Sequence, residues 1–163
     1  MVSSGDYTGG LIGQNSSSTI SNSNSTGNVT ATGKNYVGGL VGYNSSSAIS
    51  GTTSASGNVV GGNSTGGLVG YNSSSTITGA TASGIVNGTS YVGGLVGQNL
   101  TSSAISTSSA SGDVTGTSGR VGGLVGDNSS IITSSFATGN VLGKNSSDVY
   151  QNYVGGLVGF NSN

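Results

Sequence analysis

The sequence predicts an all-β fold: a single right-handed β-solenoid (β-helix) of about five coils, with roughly 28 residues and three short strands per coil. Two patterns predict the coils. The nine-residue motif at 36–44 returns along the whole chain, and short β-branched segments recur at fixed places between its copies. Helix is disfavoured because Gly, Ser, Thr and Asn have low helix propensity and no apolar stripe of period 3.6 is present.

The motif reads Tyr-Val-Gly-Gly-Leu-Val-Gly-Tyr-Asn at 36–44 and varies little elsewhere. Its copies span residues 7–15, 36–44, 64–72, 91–99, 120–128 and 153–161. The motif leucines lie 29, 28, 27, 29 and 33 residues apart. This period divides a single domain, 1–163, into repeats at about 7–35, 36–63, 64–90, 91–119 and 120–152, with a partial repeat at 153–163. The extra residues of the fifth repeat, near 144–152, are expected to form a corner loop.

Three apolar positions in each repeat predict the core. Equivalent strands of successive coils should stack about 4.8 Å apart, so that these side chains share one narrow interior. The predicted core residues are Leu11, Leu40, Leu68, Leu95, Leu124 and Leu157 in the motif; Ile20, Ile49, Ile77, Ile105 and Ile132 after it; and Val29, Val59, Val86, Val114 and Val141 further on. A small residue, usually Ala, lies between the Ile and Val positions.

The glycines of the motif, and the alternating side-chain directions of a regular strand, bear on how the motif packs. Gly38 and Gly39 are predicted to allow close backbone approach, and Gly42 to form a turn. In a regular strand Leu40 and Val41 would point to opposite faces. One apolar stripe would then face outward, unless a bulge redirects one of the two side chains.

An asparagine ends every copy of the motif. Stacked in register, these side-chain amides would form a hydrogen-bonded ladder along the solenoid axis. The alternative is that Asn is present only because it tolerates a turn. The six residues are Asn15, Asn44, Asn72, Asn99, Asn128 and Asn161.

Composition excludes several functions. Charged residues make up 4% of the chain and the net charge is -1, so the sequence predicts neither nucleic-acid binding nor a polybasic membrane patch. No apolar run is long enough for a transmembrane helix, and no membrane insertion is expected. Because His, Cys and Glu are absent, we expect no catalytic residues, no metal site and no cofactor. The aspartates, including Asp113 and Asp127, are interpreted as solvated surface residues.

Two surface patterns give alternative binding hypotheses. Tyr7, Tyr36, Tyr91 and Tyr153 share one motif position, while Tyr43 and Tyr71 share another with Phe160. Exposed aromatic columns stack on sugar rings, although the same residues would equally cover the glycine-rich face. A flat face rich in Ser and Thr, around Thr76-Ile77-Thr78, suggests ice binding instead.

The pattern Gly-Gly-Leu-Val-Gly-x-Asn, followed by Ser-Phe-Ala-Thr-Gly-Asn-Val at 135–141, resembles the GLUG repeat. That repeat occurs in tandem in large secreted bacterial surface proteins, including haemagglutinin-like adhesins and IgA-peptidase-type proteins. The resemblance implies a stalk or spacer module at the cell surface. It transfers no peptidase motif, because this chain has neither His nor Glu.

We therefore expect a non-catalytic, rigid extracellular spacer of an adhesin. Its expected partners are flanking repeats or a second copy bound end to end, with host glycan or ice as the alternative ligands. Neither end of the sequence has the features of a capping segment, and unpaired strand edges recruit other chains.

Overall fold

The computed structural model describes residues 1–144 and 152–162, which form 27 short strands and no helix. The strands build five parallel sheets, numbered here 1 to 5 in the order in which one coil passes through them. Sheets 1 and 2 have six strands each, and sheets 3, 4 and 5 have five. None of the described residues belongs to a helix long and apolar enough to cross a membrane.

Sheets 1 and 2 are formed by the motif. Sheet 1 contains Thr8–Gly9, Val37–Gly38, Thr65–Gly66, Val92–Gly93, Arg120–Gly122 and Tyr153–Gly155. Sheet 2 contains Ile12–Ser16, Val41–Ser45, Val69–Ser73, Val96–Leu100, Val125–Asn128 and Val158–Asn161.

The remaining three sheets are formed by the segments between motifs. Sheet 3 contains Thr19–Ser21, Ala48–Ser50, Thr76–Thr78, Ala104–Ser106 and Ile131–Thr133. Sheet 4 contains Asn24–Ser25, Ser54–Ala55, Thr81–Ala82, Ser109–Ala110 and Phe136–Ala137. Sheet 5 contains Val29–Thr30, Val59–Val60, Val86–Gly88, Val114–Gly116 and Val141–Gly143.

Equivalent residues of successive coils pair in register. Ile49 lies beside Ile77 and Ile77 beside Ile105, while Val59 lies beside Val86. The predicted β-solenoid of about five coils is therefore confirmed, with the spacing of about 28 residues read from the motif.

Each coil has five short strands and not the predicted three. The motif contributes two of them, because the chain bends at its Gly-Gly-Leu segment between sheets 1 and 2. The Ala position, which lies between the Ile and Val positions of each repeat, forms a strand of its own in sheet 4. The sequence pattern underestimated the number of bends in one coil.

The bend divides the interior in two. Leu40 and Val41 are both fully buried in the larger cluster, which runs the length of the stack with the Ile and Ala positions. Val37 packs in a second, smaller cluster with Val29 and Val59, and Val92 does the same with Val86 in later coils. The outward apolar stripe of a regular strand is therefore not formed, because the chain changes direction between adjacent apolar residues.

The motif glycines lie where backbones approach closely. A Cβ on Gly38 would overlap the Val41 carbonyl oxygen and lie 2.7 Å from the Leu68 carbonyl oxygen. A Cβ on Gly42 would lie 2.6 Å from the Thr8 amide nitrogen. Gly42 is inside a sheet 2 strand and does not have a positive φ, so the prediction of a turn there is wrong. All three glycines serve close packing.

The predicted core residues divide by their place in the stack. Those of the inner coils are buried, with Leu40, Leu68, Leu95 and Leu124 at 0% exposure. Leu11 and Leu157 are instead 48% and 39% exposed, and Ile132 and Val141 are only half-buried. These four residues are covered by a neighbouring coil on one side only, so their predicted burial is wrong, whereas Ile20 and Val29 of the first coil are buried as predicted. The loop predicted near 144–152 lies mostly outside the described residues.

Candidate functional site

The six motif asparagines form one continuous amide ladder along the axis. Each Nδ2 group donates to the Oδ1 atom of the asparagine in the next coil, at 2.9 Å from Asn15 to Asn44 and 2.7 Å from Asn128 to Asn161. The three steps between them measure 2.8–2.9 Å, and Asn44, Asn72 and Asn99 are fully buried. The ladder has a direction, because every donor points toward the C-terminal end.

The ladder asparagines also fasten the turn into sheet 3. Nδ2 of Asn72 donates to the Ser75 carbonyl at 3.4 Å, and Nδ2 of Asn128 donates to the Ser130 carbonyl at 2.6 Å. The residue between Asn72 and Ser75 that reverses the chain is Ser74, with a φ of 49°. The asparagine side chain thus hydrogen-bonds both to the amide of a neighbouring coil and to a carbonyl group of the strained turn in its own coil.

A second ladder of buried hydroxyl groups begins at this turn. The Ser47 amide donates to Ser75 Oγ at 3.0 Å, and the Ser103 amide donates to Ser130 Oγ at 2.9 Å. The Ser75 hydroxyl in turn donates to the Ser73 carbonyl at 2.7 Å. Each serine therefore satisfies a backbone N–H group of the preceding coil that water cannot reach.

A third ladder lies before sheet 4, and one residue interrupts it. The Ser23 amide donates to Thr53 Oγ1 at 3.4 Å, and the Ala80 amide donates to Ser108 Oγ at 3.1 Å. Between these two steps the ladder position is occupied by Ala80, which has no hydroxyl group. The Thr53 N–H group therefore has no acceptor within the described residues, although Thr53 is only 1% exposed.

Ala80→Ser is expected to complete this ladder and stabilise the fold. The new hydroxyl would accept from the Thr53 amide, as Ser108 does from Ala80, and the gain should be about 1 kcal/mol because an unpaired buried donor is removed. Urea unfolding measures it. Ala82→Ser is the matched control: Ala82 packs in the same apolar cluster as Ala80 but lies inside a paired strand of sheet 4, where a hydroxyl should destabilise because no unpaired amide awaits it. Equal effects of the two substitutions would contradict the interpretation.

The motif leucine links the coils through its carbonyl group. The Leu95 carbonyl accepts from the amides of Leu68 and Val69, at 2.9 and 3.0 Å. The Leu124 carbonyl accepts the corresponding two amides from Leu95 and Val96. The same double contact occurs at every coil-to-coil step of the described chain. The Gly-Gly-Leu-Val segment is therefore a connector between coils as well as a core element.

The predicted tyrosine columns converge into one cluster. Tyr7 stacks on Tyr36 at 5.4 Å between ring centroids, and Tyr43 stacks on Tyr71 at 4.9 Å. The two pairs meet edge to face, as between Tyr36 and Tyr43 at 5.7 Å. Burial, with Tyr43 and Tyr36 as neighbouring phenols, raises the pKa of Tyr71. The ring faces of these tyrosines therefore contact one another. Tyr7 is the most exposed of the four, at 52%.

An ion pair that the sequence analysis missed lies at the same two motif positions as the tyrosines. Arg120 Nη1 lies 2.6 Å from Asp127 Oδ2, and its guanidinium group lies over the rings of Tyr91 and Phe160, at 5.5 and 4.0 Å. Asp127 is 5% exposed, so its interpretation as a solvated surface residue is wrong. The signal was available in the sequence, because Arg120 occupies the motif position of Tyr91 and Tyr153, and Asp127 occupies that of Phe160.

The structure places the remaining predicted site residues apart. Tyr153 contacts Phe160 at 5.1 Å between centroids, near the last coil. Asp6 and Asp113 are exposed and accept backbone amides from the neighbouring coil, those of Asn35 and Asn140. Within residues 1–144 and 152–162 no group of three or more metal-ligating side chains comes together. The main candidate site in the described residues is therefore the set of hydrogen-bonded ladders, one of asparagines and two of hydroxyl groups, that run along the solenoid axis.

A parallel stack whose buried polar groups bond from coil to coil defines a tandem-repeat structural module. Residues 4–30 and 88–115 match the family model described as the GLUG motif, so the predicted GLUG-repeat region is confirmed at these two stretches. No curated protein matches the chain. No solved structure matches it either.

Proposed function

We propose that this chain is a non-enzymatic, rigid spacer that holds another part of an extracellular bacterial surface protein away from its anchor. The adhesin context rests on the resemblance to GLUG-repeat proteins. The observation that carries the proposal is the continuous asparagine ladder. It makes every coil an equivalent unit of length, and it fixes the coils against sliding because each inner amide, from Asn44 to Asn128, has one partner above and one below.

A modular spacer should change length in steps of whole coils. Duplicating residues 36–90, which hold two repeats, should lengthen the rod by about 10 Å per copy, since stacked strands are ~4.8 Å apart. Several tandem copies make the increment measurable by small-angle X-ray scattering or electron microscopy. Stability should not fall with added coils, because each new coil buries the same side chains.

The control is a duplication that is out of phase. Duplicating residues 36–77 ends within sheet 3 and places Gly39 and Leu40 of the motif at the sheet 4 positions 81 and 82, so the ladders cannot form. This variant should lose its cooperative unfolding transition. If both duplications behave alike, or if whole-coil copies do not lengthen the rod, the spacer proposal fails.

One observation favours ice binding as a second candidate function. The outward end of sheet 3 carries a hydroxyl in every coil, at Ser21, Ser50, Thr78, Ser106 and Thr133. Beside it runs a column of methyl-bearing side chains at Thr19, Ala48, Thr76, Ala104 and Ile131. Ice binding would use these alternating columns of hydroxyl and methyl groups to order a layer of water.

Thermal hysteresis tests this second candidate. Thr78→Tyr would place a bulky ring in the centre of the sheet 3 face, whereas Asn87→Tyr would place the same ring on exposed sheet 5. If the protein binds ice, the wild-type chain shows thermal hysteresis, Thr78→Tyr removes it and Asn87→Tyr does not. Glycan binding gains less from the structure, because the tyrosine faces are stacked on one another; a glycan array with Tyr7→Ala decides it.

A further inference from the structure

Two tyrosines of adjacent inner coils lie with their rings face to face. Tyr43 and Tyr71 hold the same motif position and are paired across sheet 2. Their rings are parallel to within 5°, and the ring centroids are 4.9 Å apart. The next residues in this column are Gln14 beside Tyr43 and Gln98 beside Tyr71. The pair is therefore enclosed within the stack along the axis.

The surrounding contacts hold the two rings together. Their strands pair in register, and the residues that follow them, Asn44 and Asn72, are hydrogen-bonded side chain to side chain at 2.9 Å. Tyr36 lies edge-on to both rings, with its centroid 5.7 Å from that of Tyr43 and 5.2 Å from that of Tyr71. All three tyrosines remain half-exposed. The fold thus presents a fixed pair of phenols to solvent.

A fixed pair of phenols is suited to oxidative coupling. A phenol that loses one electron and its hydroxyl proton becomes a phenoxyl radical, with the unpaired electron spread over the oxygen and the ortho and para ring carbons. In tyrosine the para carbon carries the rest of the side chain, so two such radicals join through their ortho carbons. Holding the rings in contact turns a chance encounter of two radicals into a step within one molecule.

We propose that Tyr43 and Tyr71 are a site of covalent modification, at which a haem peroxidase with hydrogen peroxide joins them as dityrosine. Each phenol gives up one electron and one proton, and a carbon–carbon bond forms between one ortho carbon of each ring. Each of these carbons then loses its hydrogen as a proton while the phenol oxygen regains one, which restores both aromatic rings. Two tyrosines and one hydrogen peroxide thus give one dityrosine and two molecules of water.

The new bond links the second and third coils of the stack. The chain has no cysteine, so a disulfide cannot provide such a link. A cross-link that spans one whole repeat restricts the unfolded chain more than the folded one, and the modified protein should therefore unfold at a higher urea concentration. This inference does not rest on the spacer function, because it concerns one pair of side chains within one chain.

Tyrosines outside the cluster have no tyrosine stacked on them among the described residues. Tyr91 has Ser64 and Arg120 on either side in its column, and the Arg120 guanidinium group lies over its ring. Tyr153 contacts Phe160, whose ring has no phenol oxygen to oxidise. These tyrosines are therefore controls within the same protein.

Oxidation of the folded 163-residue chain with hydrogen peroxide and a haem peroxidase tests the proposal. We expect dityrosine fluorescence in monomeric protein, and a cross-linked peptide that joins Tyr43 to Tyr71 and is two hydrogen atoms lighter than its parts. Tyr71→Phe keeps the ring and removes the phenol oxygen, so this peptide should be lost. Phe160 holds the same column position in the last coil, which shows that the fold accepts phenylalanine there. Tyr91→Phe, the matched control, should leave the yield unchanged.

Two further conditions complete the test. A small diffusible one-electron oxidant should give the same peptide as the peroxidase, so that restricted access of the enzyme cannot account for a failure. In concentrated urea the peptide should be lost, because the fold forms the pair. The inference is overturned if neither oxidant gives the Tyr43–Tyr71 peptide, if its yield persists in urea or falls equally in both variants, or if the cross-links form mainly between chains.

Discussion

Gly94→Ala is expected to have the largest effect of any substitution considered, a loss of about 4 kcal/mol or more in the free energy of unfolding. Gly94 precedes a motif leucine in the middle of the stack. A Cβ there would overlap the Gly123 carbonyl oxygen of the next coil and lie 2.9 Å from Ala110 Cβ. Both neighbours are held by coil-to-coil hydrogen bonds, so neither can move without opening the ladder. Urea unfolding, or the loss of soluble folded protein, measures the effect.

Gly156→Ala is the matched control. Gly156 holds the same motif position in the last coil, and a Cβ there has no atom within 4 Å. Its substitution should change stability by less than about 0.5 kcal/mol. A large difference between the two variants would show that glycine is required by the neighbouring coil and not by its own backbone conformation. Similar effects would contradict the close-packing explanation.

The period of the motif predicts the stacked columns well, because a parallel in-register sheet places equivalent residues beside one another. The asparagines at 15, 44, 72, 99, 128 and 161 meet for this reason. The same period predicts burial poorly at the ends. Leu11 and Leu95 occupy one motif position, yet their exposures are 48% and 0%, because burial needs a coil on both sides.

Contacts within one coil were harder to predict. Tyr36 and Tyr43 lie seven residues apart and meet because the chain folds back at Gly38 and Gly39. A regular strand would have separated them by about 23 Å. The Arg120–Asp127 pair was missed for the same reason. Positions within a repeat become neighbours through the bends, and short Gly-rich sequences indicate a bend without giving its angle.

Asn72→Ala is expected to cost roughly 3–5 kcal/mol, the second-largest effect. Asn72 is fully buried, accepts from Asn44 at 2.9 Å and donates to Asn99 at 2.9 Å. Truncation leaves the Asn44 donor and the Asn99 acceptor without partners and opens a cavity between them. The outward-facing Asn87, on sheet 5, gives the matched control: Asn87→Ala should be nearly neutral in urea unfolding.

Asn72→Asp tests the direction of the ladder through its pH dependence. When protonated, the new carboxyl group can accept from Asn44 and donate to Asn99; when ionised it has no donor and is buried without a counter-ion. Burial should therefore raise the pKa of this carboxyl group in the folded state above its value in the unfolded chain. The folded state then binds the proton more tightly, so the variant should approach wild-type stability at low pH and lose stability as pH rises above about 4. The Asn87→Asp control should show no such loss between pH 4 and 7, and a pH-independent Asn72→Asp variant would refute the donor–acceptor ladder.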